Sequence, residues 1–306
     1  MSYMPIQGST IAKEVDLLFD FTVWSSVLAC IILLGGMTFF IIKYQRRSDN
    51  DKTAHISHNH LLEFIWSFIP LVIFLGMFYW GWHVYSKMRT FPADAMEISI
   101  TGRQWAWDMT YSTGKKVTNE LVIPVETPVV LNMTSVDVIH SFYVPSFRVK
   151  QDVVPGKRSK MWFQSDKLGD YELFCTEFCG TAHSGMIGKV RVVTRAEYDV
   201  WIKKDKSTMT PAELGKDHFV SKGCVACHST DGSIKVGPSL KAVWGSTVKH
   251  SDGSSALVDE GYVRSSILNP QEKYVAGFQG VIMPSFQGLI TEDEINEIVE
   301  YLKTLK

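Results

Sequence analysis

Cys175-Thr176-Glu177-Phe178-Cys179-Gly180-Thr181-Ala182-His183-Ser184-Gly185-Met186 gathers two thiols, an imidazole and a thioether in one short stretch. Soft sulfur ligands select copper, zinc or iron–sulfur clusters. A zinc site would be closed by four nitrogen or sulfur ligands, without a weak thioether. Methionine beside cysteine and histidine instead suggests copper electron transfer. A mononuclear site of that kind uses one cysteine, so two in one loop suggest two metals bridged by both sulfurs. Two coppers need another imidazole, and His140 in Asp137-Val138-Ile139-His140-Ser141-Phe142 is the candidate. A single histidine or methionine is more often structural, but the full set is not.

The flanks of this loop read as strands. Between residues 96 and 193 come short β-branched or alternating runs, among them Glu97-Ile98-Ser99-Ile100-Thr101, Pro128-Val129-Val130-Leu131-Asn132-Met133 and Lys189-Val190-Arg191-Val192-Val193. Turn signals such as Ser112-Thr113-Gly114-Lys115 and Pro155-Gly156-Lys157 separate them. Strands at this spacing predict an antiparallel sandwich or barrel.

Upstream, residues 21–42 carry no charged side chain, and residues 64–84 carry none apart from a protonatable His83. A helix of about 20 residues spans a hydrocarbon core of about 30 Å, so both runs predict transmembrane helices. The intervening loop holds Lys43, Arg46, Arg47 and Lys52, whereas the preceding tail has Lys13 alone. Positive charge favours the cytoplasm, which puts both chain ends outside. No signal peptide is evident, and helix one is expected to act as an uncleaved insertion signal.

Downstream the pattern turns helical. Thr210-Pro211-Ala212-Glu213 and Thr291-Glu292-Asp293-Glu294 are helix-start signals. Cys224-Val225-Ala226-Cys227-His228 is the c-type haem attachment signature. Its cysteines can form thioethers to one haem, and the adjacent imidazole can ligate the iron. Met283, in Met283-Pro284-Ser285-Phe286, is the expected second axial ligand, because a His/Met pair suits electron transfer. His218 and His250 are weaker rivals.

Composition excludes other classes. Lys plus Arg is 31 against 32 Asp plus Glu, for a net charge of −1, which offers no surplus for nucleic acid. With 45% hydrophobic and 21% charged residues, the chain is not disordered. Five cysteines in 306 residues do not make a disulfide scaffold.

Asp137-Val138-Ile139-His140-Ser141-Phe142-Tyr143-Val144-Pro145-Ser146-Phe147, followed by the Cys-x-Glu-x-Cys-Gly-x-x-His-x-x-Met pattern, resembles subunit II of haem–copper cytochrome c oxidases. So do the helical hairpin and Arg103-Gln104-Trp105-Ala106-Trp107. The resemblance covers about residues 16–193. With the haem motif, the whole chain resembles the fused subunit II of caa3-type oxidases. It implies a cupredoxin-like antiparallel β-sandwich with a dinuclear copper centre, CuA. By position, Cys175 and Cys179 would bridge the coppers, His140 and His183 would each bind one, and Met186 and the Glu177 carbonyl would be weak ligands. The Glu177 carboxylate would help hold a Mg²⁺ shared with subunit I, and such a ligand suits a hard cation. Trp105 matches the family's aromatic where electrons arrive, although a core aromatic is the plain alternative. Where the family often has another aromatic, this chain has Ala106. Glu63 matches the acid at the mouth of a proton channel; a carboxylate stabilised by the helix dipole is its plain alternative.

The expectation is therefore a multidomain membrane protein. A tail and transmembrane hairpin would fill 1–94, with helices at about 18–43 and 62–88. A CuA domain at 95–194, a linker at 195–209 and an all-α cytochrome c domain at 210–306 would follow. The chain would relay electrons in a caa3-type cytochrome c oxidase through covalent haem c and CuA, without O2 chemistry of its own. Its partners would be subunits I and III, cytochrome c or another redox protein as donor, and the lipid of a bacterial plasma membrane. The alternatives are a CuA subunit of a nitric oxide reductase and a membrane-tethered copper-handling protein. The latter calls for a thioredoxin-like βαβ pattern and no haem motif.

Overall fold

The structure is a computed structural model that describes residues 4–52, 54–204 and 209–306. Helix α1 spans Ala12–Lys43 and α2 spans His60–Arg89. Each exceeds the about 20 residues needed to cross a bilayer. Their large apolar side chains, from Leu28 to Ile42 and from Phe64 to Phe78, are exposed, as lipid-facing surfaces are. Asn59 caps α2 by accepting from the Leu62 N–H at 3.1 Å.

The N-terminal end of α1 and the C-terminal end of α2 are fastened to each other and, through α1, to the domain that follows. Lys87 pairs with Glu14 at 2.8 Å. The Asp16 carboxylate accepts from Arg148 at 2.7 and 3.0 Å and from Gln7 at 2.8 Å. Gly8 lies against the Phe147 and Tyr171 rings, where a Cβ would sit 2.8 and 2.6 Å from ring carbons. The orientation of the hairpin is thus set by buried groups rather than by a loose tether.

Two five-stranded sheets face each other. Strands β1 (Met96–Arg103), β2 (Ala106–Tyr111), β3 (Lys116–Thr118), β5 (Pro128–Ser135) and β8 (Ser159–Gln164) form one, in the order β3-β2-β1-β5-β8. Strands β4 (Glu120–Pro124), β6 (His140–Val144), β7 (Val149–Val153), β9 (Gly169–Cys175) and β10 (Ile187–Val193) form the other, ordered β4-β10-β9-β6-β7. Alternate side chains point inward, among them Ile98, Ile100, Leu131, Met133, Leu173 and Val190. Most neighbours are antiparallel, but β1 runs parallel to β5 and β4 to β10. The chain visits the second sheet at β4 before returning beside β1, so β5 arrives in the same direction.

The segment read as a linker, 195–209, differs from that reading. Helix α3 fills Arg195–Lys203, opened by a reciprocal cap between Thr194 and Glu197. Tyr198 is buried and Trp201 and Ile202 pack on the sandwich, so three residues on one helical face dock it. Residues 205–208 of that segment lie outside the described residues.

Beyond it come α4 (Pro211–Ser221), the short α5 (Cys224–Cys227), α6 (Glu260–Leu268) and α7 (Glu292–Thr304). Thr210 with Glu213, and Thr291 with Glu294, make the capping boxes that begin α4 and α7. A core of Val258, Val263, Ile267, Ile295, Ile298, Val299 and Leu302 holds this region together. It is not purely helical. A small hairpin joins β11 (Thr247–Lys249) to β12 (Ser255–Leu257). Gly253 takes the positive φ of 85° in its turn, and Asp252 accepts from the Ser254 N–H.

Candidate metal centres

Strand pairing builds the first centre. In β9 the inward side chains are Tyr171, Leu173 and Cys175, which brings the Cys175 thiol to the end of the core. Strand β6 lies beside it with Phe142 opposite Cys175, so His140 at the start of β6 reaches the same place. The Cys175 N–H bond to Met186 O at 3.2 Å closes the loop between β9 and β10, and the Thr176 N–H bond to Ser141 O at 3.1 Å ties that loop to β6. A single turn over His183–Gly185 returns the chain to β10.

The side chains converge. Cys175 Sγ lies 3.8 Å from Cys179 Sγ and 3.8 Å from His140 Nδ1. Cys179 Sγ lies 3.3 Å from His183 Nδ1 and 3.8 Å from Met186 Sδ. The Glu177 carbonyl is 3.3 Å from Cys175 Sγ, while the residue itself is exposed. His140, Cys175, Cys179 and Met186 are all buried. One potential ligand atom from each of His140, Cys175 and Cys179 falls within a 4.8 Å cluster. Two thiols, two imidazoles and a thioether, all buried except the half-buried His183, fit copper by their softness.

Protonation follows from the same contacts. A carboxylate only accepts, so the 2.8 Å contact of Asp137 Oδ1 with His140 Nε2 places the proton on Nε2. Nδ1 then faces Cys175 Sγ, and although burial pushes the His140 pKa down, the bonds to Cys175 and Asp137 raise it overall. Burial pushes the Asp137 carboxyl up, but bonds from His140 and from the Gln104 and Val138 N–H groups hold it below the usual range. Burial and the neighbouring Cys175 push the Cys179 thiol up to about 12. A cation in the pocket is what would let both sulfurs ionise together.

Two further residues hold the Cys179 carbonyl. Gln104 Nε2 donates to it at 2.7 Å and Trp105 Nε1 at 3.1 Å. Trp105 is half-buried against the sandwich core, so its core packing and its contact with the candidate ligand loop coexist. Sequence reasoning missed Asp137 and Gln104 as supports. The available signal was the three-residue spacing of Asp137 from His140.

The second centre is a tight turn. Cys224 and Cys227 occupy α5, and His228 follows directly. His228 Nδ1 lies 2.8 Å from the Pro238 carbonyl, so it donates there and leaves Nε2 free as a ligand. Burial, only partly offset by the Pro238 bond, pushes the His228 pKa down and keeps the ring neutral. Gly237 is needed beneath that ring, because a Cβ would lie 2.9 Å from His228 Cε1. Two thiols and a free imidazole nitrogen on one turn fit covalent haem. Met283 is half-buried on the segment between α6 and α7. That segment is fixed by Phe286 N–H to Ile267 O at 3.1 Å.

The rival histidines have other partners. His218 Nε2 meets Glu297 at 2.8 Å, and His250 Nδ1 meets Ser254 Oγ at 3.0 Å. Glu63, in the first turn of α2, accepts from the Asn59 N–H at 3.2 Å.

Three family profiles match the chain. Cytochrome c oxidase subunit II, transmembrane domain, matches residues 2–80; its periplasmic domain matches 114–193; and cytochrome c matches 212–306. Cytochrome c oxidase subunit 2 of Alkalihalophilus pseudofirmus is 28% identical over 303 residues, covering 92% of this chain and 84% of that one. A probable cytochrome c oxidase subunit 2 of Rickettsia felis is 30% identical over 225 residues, covering 66% of this chain and 71% of that one. The periplasmic domain of subunit II from Bradyrhizobium japonicum is 30% identical, covering 40% of this chain and 100% of that one, at a TM-score of 0.37. Copper and haem are the groups to which these domains point, and the two apolar helices anchor the protein in a membrane. The chain belongs to the cytochrome c oxidase subunit II family, with a cytochrome c domain at its C-terminal end.

Proposed function

We propose that this chain is the electron-accepting subunit of a caa3-type oxidase. One observation carries the reading: the Cys175, Cys179, His140, His183 and Met186 donors converge in a chain that also bears Cys224-x-x-Cys227-His228. In this reading Cys175, Cys179, His140 and His183 would hold a copper pair, with Met186 and the Glu177 carbonyl as weaker ligands. Cys224 and Cys227 would hold haem c, with His228 and Met283 as the residues that would ligate its iron. Bound there, copper and haem supply one-electron carriers between a donor such as cytochrome c and subunit I, where O2 is reduced and protons are pumped.

The chain's own residues provide rigidity and dryness. Asp137 fixes the His140 tautomer, Pro238 fixes that of His228, and Gln104 and Trp105 pin the Cys179 carbonyl. Such outer partners orient ligands and limit rearrangement as charge moves. Trp105 touches the ligand loop directly, which suits a route for incoming electrons. Glu177 has an exposed side chain able to share Mg²⁺ with subunit I, and Glu63 stands at the cytoplasmic start of α2 as a channel-mouth acid. The assigned units are the hairpin within 1–94, the copper domain at 95–194 and the haem domain at 210–306. Both metal domains lie on the outer side, and subunit III completes the assembly.

Low-temperature electron paramagnetic resonance on the oxidised full chain tests this. One unpaired electron shared by two equivalent coppers gives a many-line hyperfine pattern. A four-line spectrum from one copper overturns the assignment.

A further inference from the structure

The haem-attachment turn meets the copper loop backbone to backbone. A Cβ built on Gly185 would sit 2.8 Å from the Ala226 carbonyl carbon and closer still to its oxygen. Gly185 ends the His183–Gly185 turn, next to Met186. Its φ is not positive, so the turn does not itself demand glycine. The demand comes from Ala226 across the interface.

A second contact acts beside it. Arg103, at the end of β1, is held by Asp108 at 2.7 and 3.2 Å, and Asp108 accepts from Thr118 at 2.8 Å. The fixed guanidinium donates to the Ser221 carbonyl, which ends α4. The last carbonyls of a helix have no partner within it and carry partial negative charge. Arg103 therefore caps α4 from the other domain, three residues before Cys224.

We infer that Gly185 and Arg103 form a docking seat that holds the Cys224–His228 turn against the copper loop. The fused domain is then a resident donor rather than a freely swinging one. The inference rests on the proposed reading that haem and copper occupy the two centres. The seat needs both parts: Gly185 permits the close approach, and Arg103 fixes the direction from which α4 arrives.

Amide deuterium exchange on the purified full chain tests the seat, with Gly185→Ala and Arg103→Met made separately. Arg103→Met keeps the stem, touches no proposed ligand and leaves Asp108 bonded to Thr118. In the unaltered chain, amides 183–186 and 223–228 are expected to be protected. Each variant is expected to exchange there about tenfold faster, as loss of one charged hydrogen bond or its steric equivalent implies, while amides 295–302 stay unchanged. In metal-loaded chains, one electron given to the haem is expected to reach the copper band about tenfold more slowly in both variants. Unprotected amides in the unaltered chain overturn the seat. So does a response to Gly185→Ala alone, because the effect then belongs to the ligand loop. Absence of a two-copper spectrum overturns the functional reading instead, and the exchange pattern still judges the seat.

Discussion

Replacing Asp137 with alanine is expected to weaken copper binding by about 10- to 100-fold without unfolding the sandwich. His140 is fully buried, and its Nε2–H reaches Asp137 Oδ1 at 2.8 Å. Without that oxygen a buried N–H loses its acceptor, and the ring is free to turn Nδ1 away from Cys175. A hydrogen bond to a charged group contributes about 1.5–3 kcal/mol, and about 1.4 kcal/mol is tenfold in affinity. Outer partners of ligating histidines fall in the same 10–100-fold range. The carboxylate also accepts from the Gln104 and Val138 N–H groups, each at 2.6 Å, so alanine loosens the loop as well. Asp137→Asn keeps an acceptor oxygen but no charge and is expected to lose less. Chelator competition on the full chain, followed through the copper absorption bands, gives the affinities. Urea unfolding of the same variants gives the stability. Alanine binding copper as tightly as aspartate refutes the reasoning, as does weakening that merely tracks sandwich stability.

Gly215→Ala is expected to destabilise the haem domain by about 1–3 kcal/mol or more, the range for overpacking. A Cβ there would lie 2.9 Å from Ile298 N and closer to the Glu297 carbonyl, and α7 backbone cannot swing aside as a side chain can. Gly280→Ala, which meets nothing within 4 Å, is the control expected within about 0.5 kcal/mol; equal denaturation midpoints in the two variants refute the packing argument. Burial pushes the Glu294 carboxyl up, but the Thr291 N–H, Lys222 and His218 together hold it below 4.5. A carboxylate depressed by folding contributes in full above its unfolded value and loses that contribution as pH falls through the lower folded one. Stability of the haem domain is therefore expected to decline below pH 4.5, and Glu294→Gln to flatten that decline; an unchanged pH profile in the variant counts against it.

How much was legible depended on sequence distance. Four of the five converging donors lie within residues 175–186, so spacing alone proposed a shared pocket. His140 was recoverable because two coppers would need a second imidazole. Asp137 was not, since a loop carboxylate usually faces water and only the fold turns this one onto a buried ring. Helix α3 was hidden by the lysine-rich stretch at and beyond its end, which made the whole segment read as a polar linker although Tyr198, Trp201 and Ile202 share one face. The β11–β12 hairpin has three residues per strand, too few to show a period of two, and its cue was Asp252-Gly253. The parallel pairs β1–β5 and β4–β10 were invisible because strand direction depends on which sheet the chain visits between them. The contact of Gly185 with Ala226 joins two regions far apart in sequence, and no local pattern encodes it.

The two centres share one construction. In each, the ligand-bearing segment is a tight turn whose backbone is already hydrogen-bonded: Cys175 to Met186 and Thr176 to Ser141 around one, His228 to Cys224 and Gly237 to Cys227 around the other. In each, one imidazole nitrogen is occupied by an oxygen, from Asp137 or from Pro238, which leaves the other for the proposed metal. Polar groups committed in this way have little freedom to reorient when charge arrives, which is what an electron carrier requires. The cores beneath the centres are separate, however: one is the sandwich and the other is the cluster built on α6 and α7. Rigidity within each centre therefore does not fix the distance between them. That distance is set by the small contact where Ala226 meets Gly185 and Arg103 meets Ser221, so sensitivity to mutation should rise at that contact even though it holds no ligand.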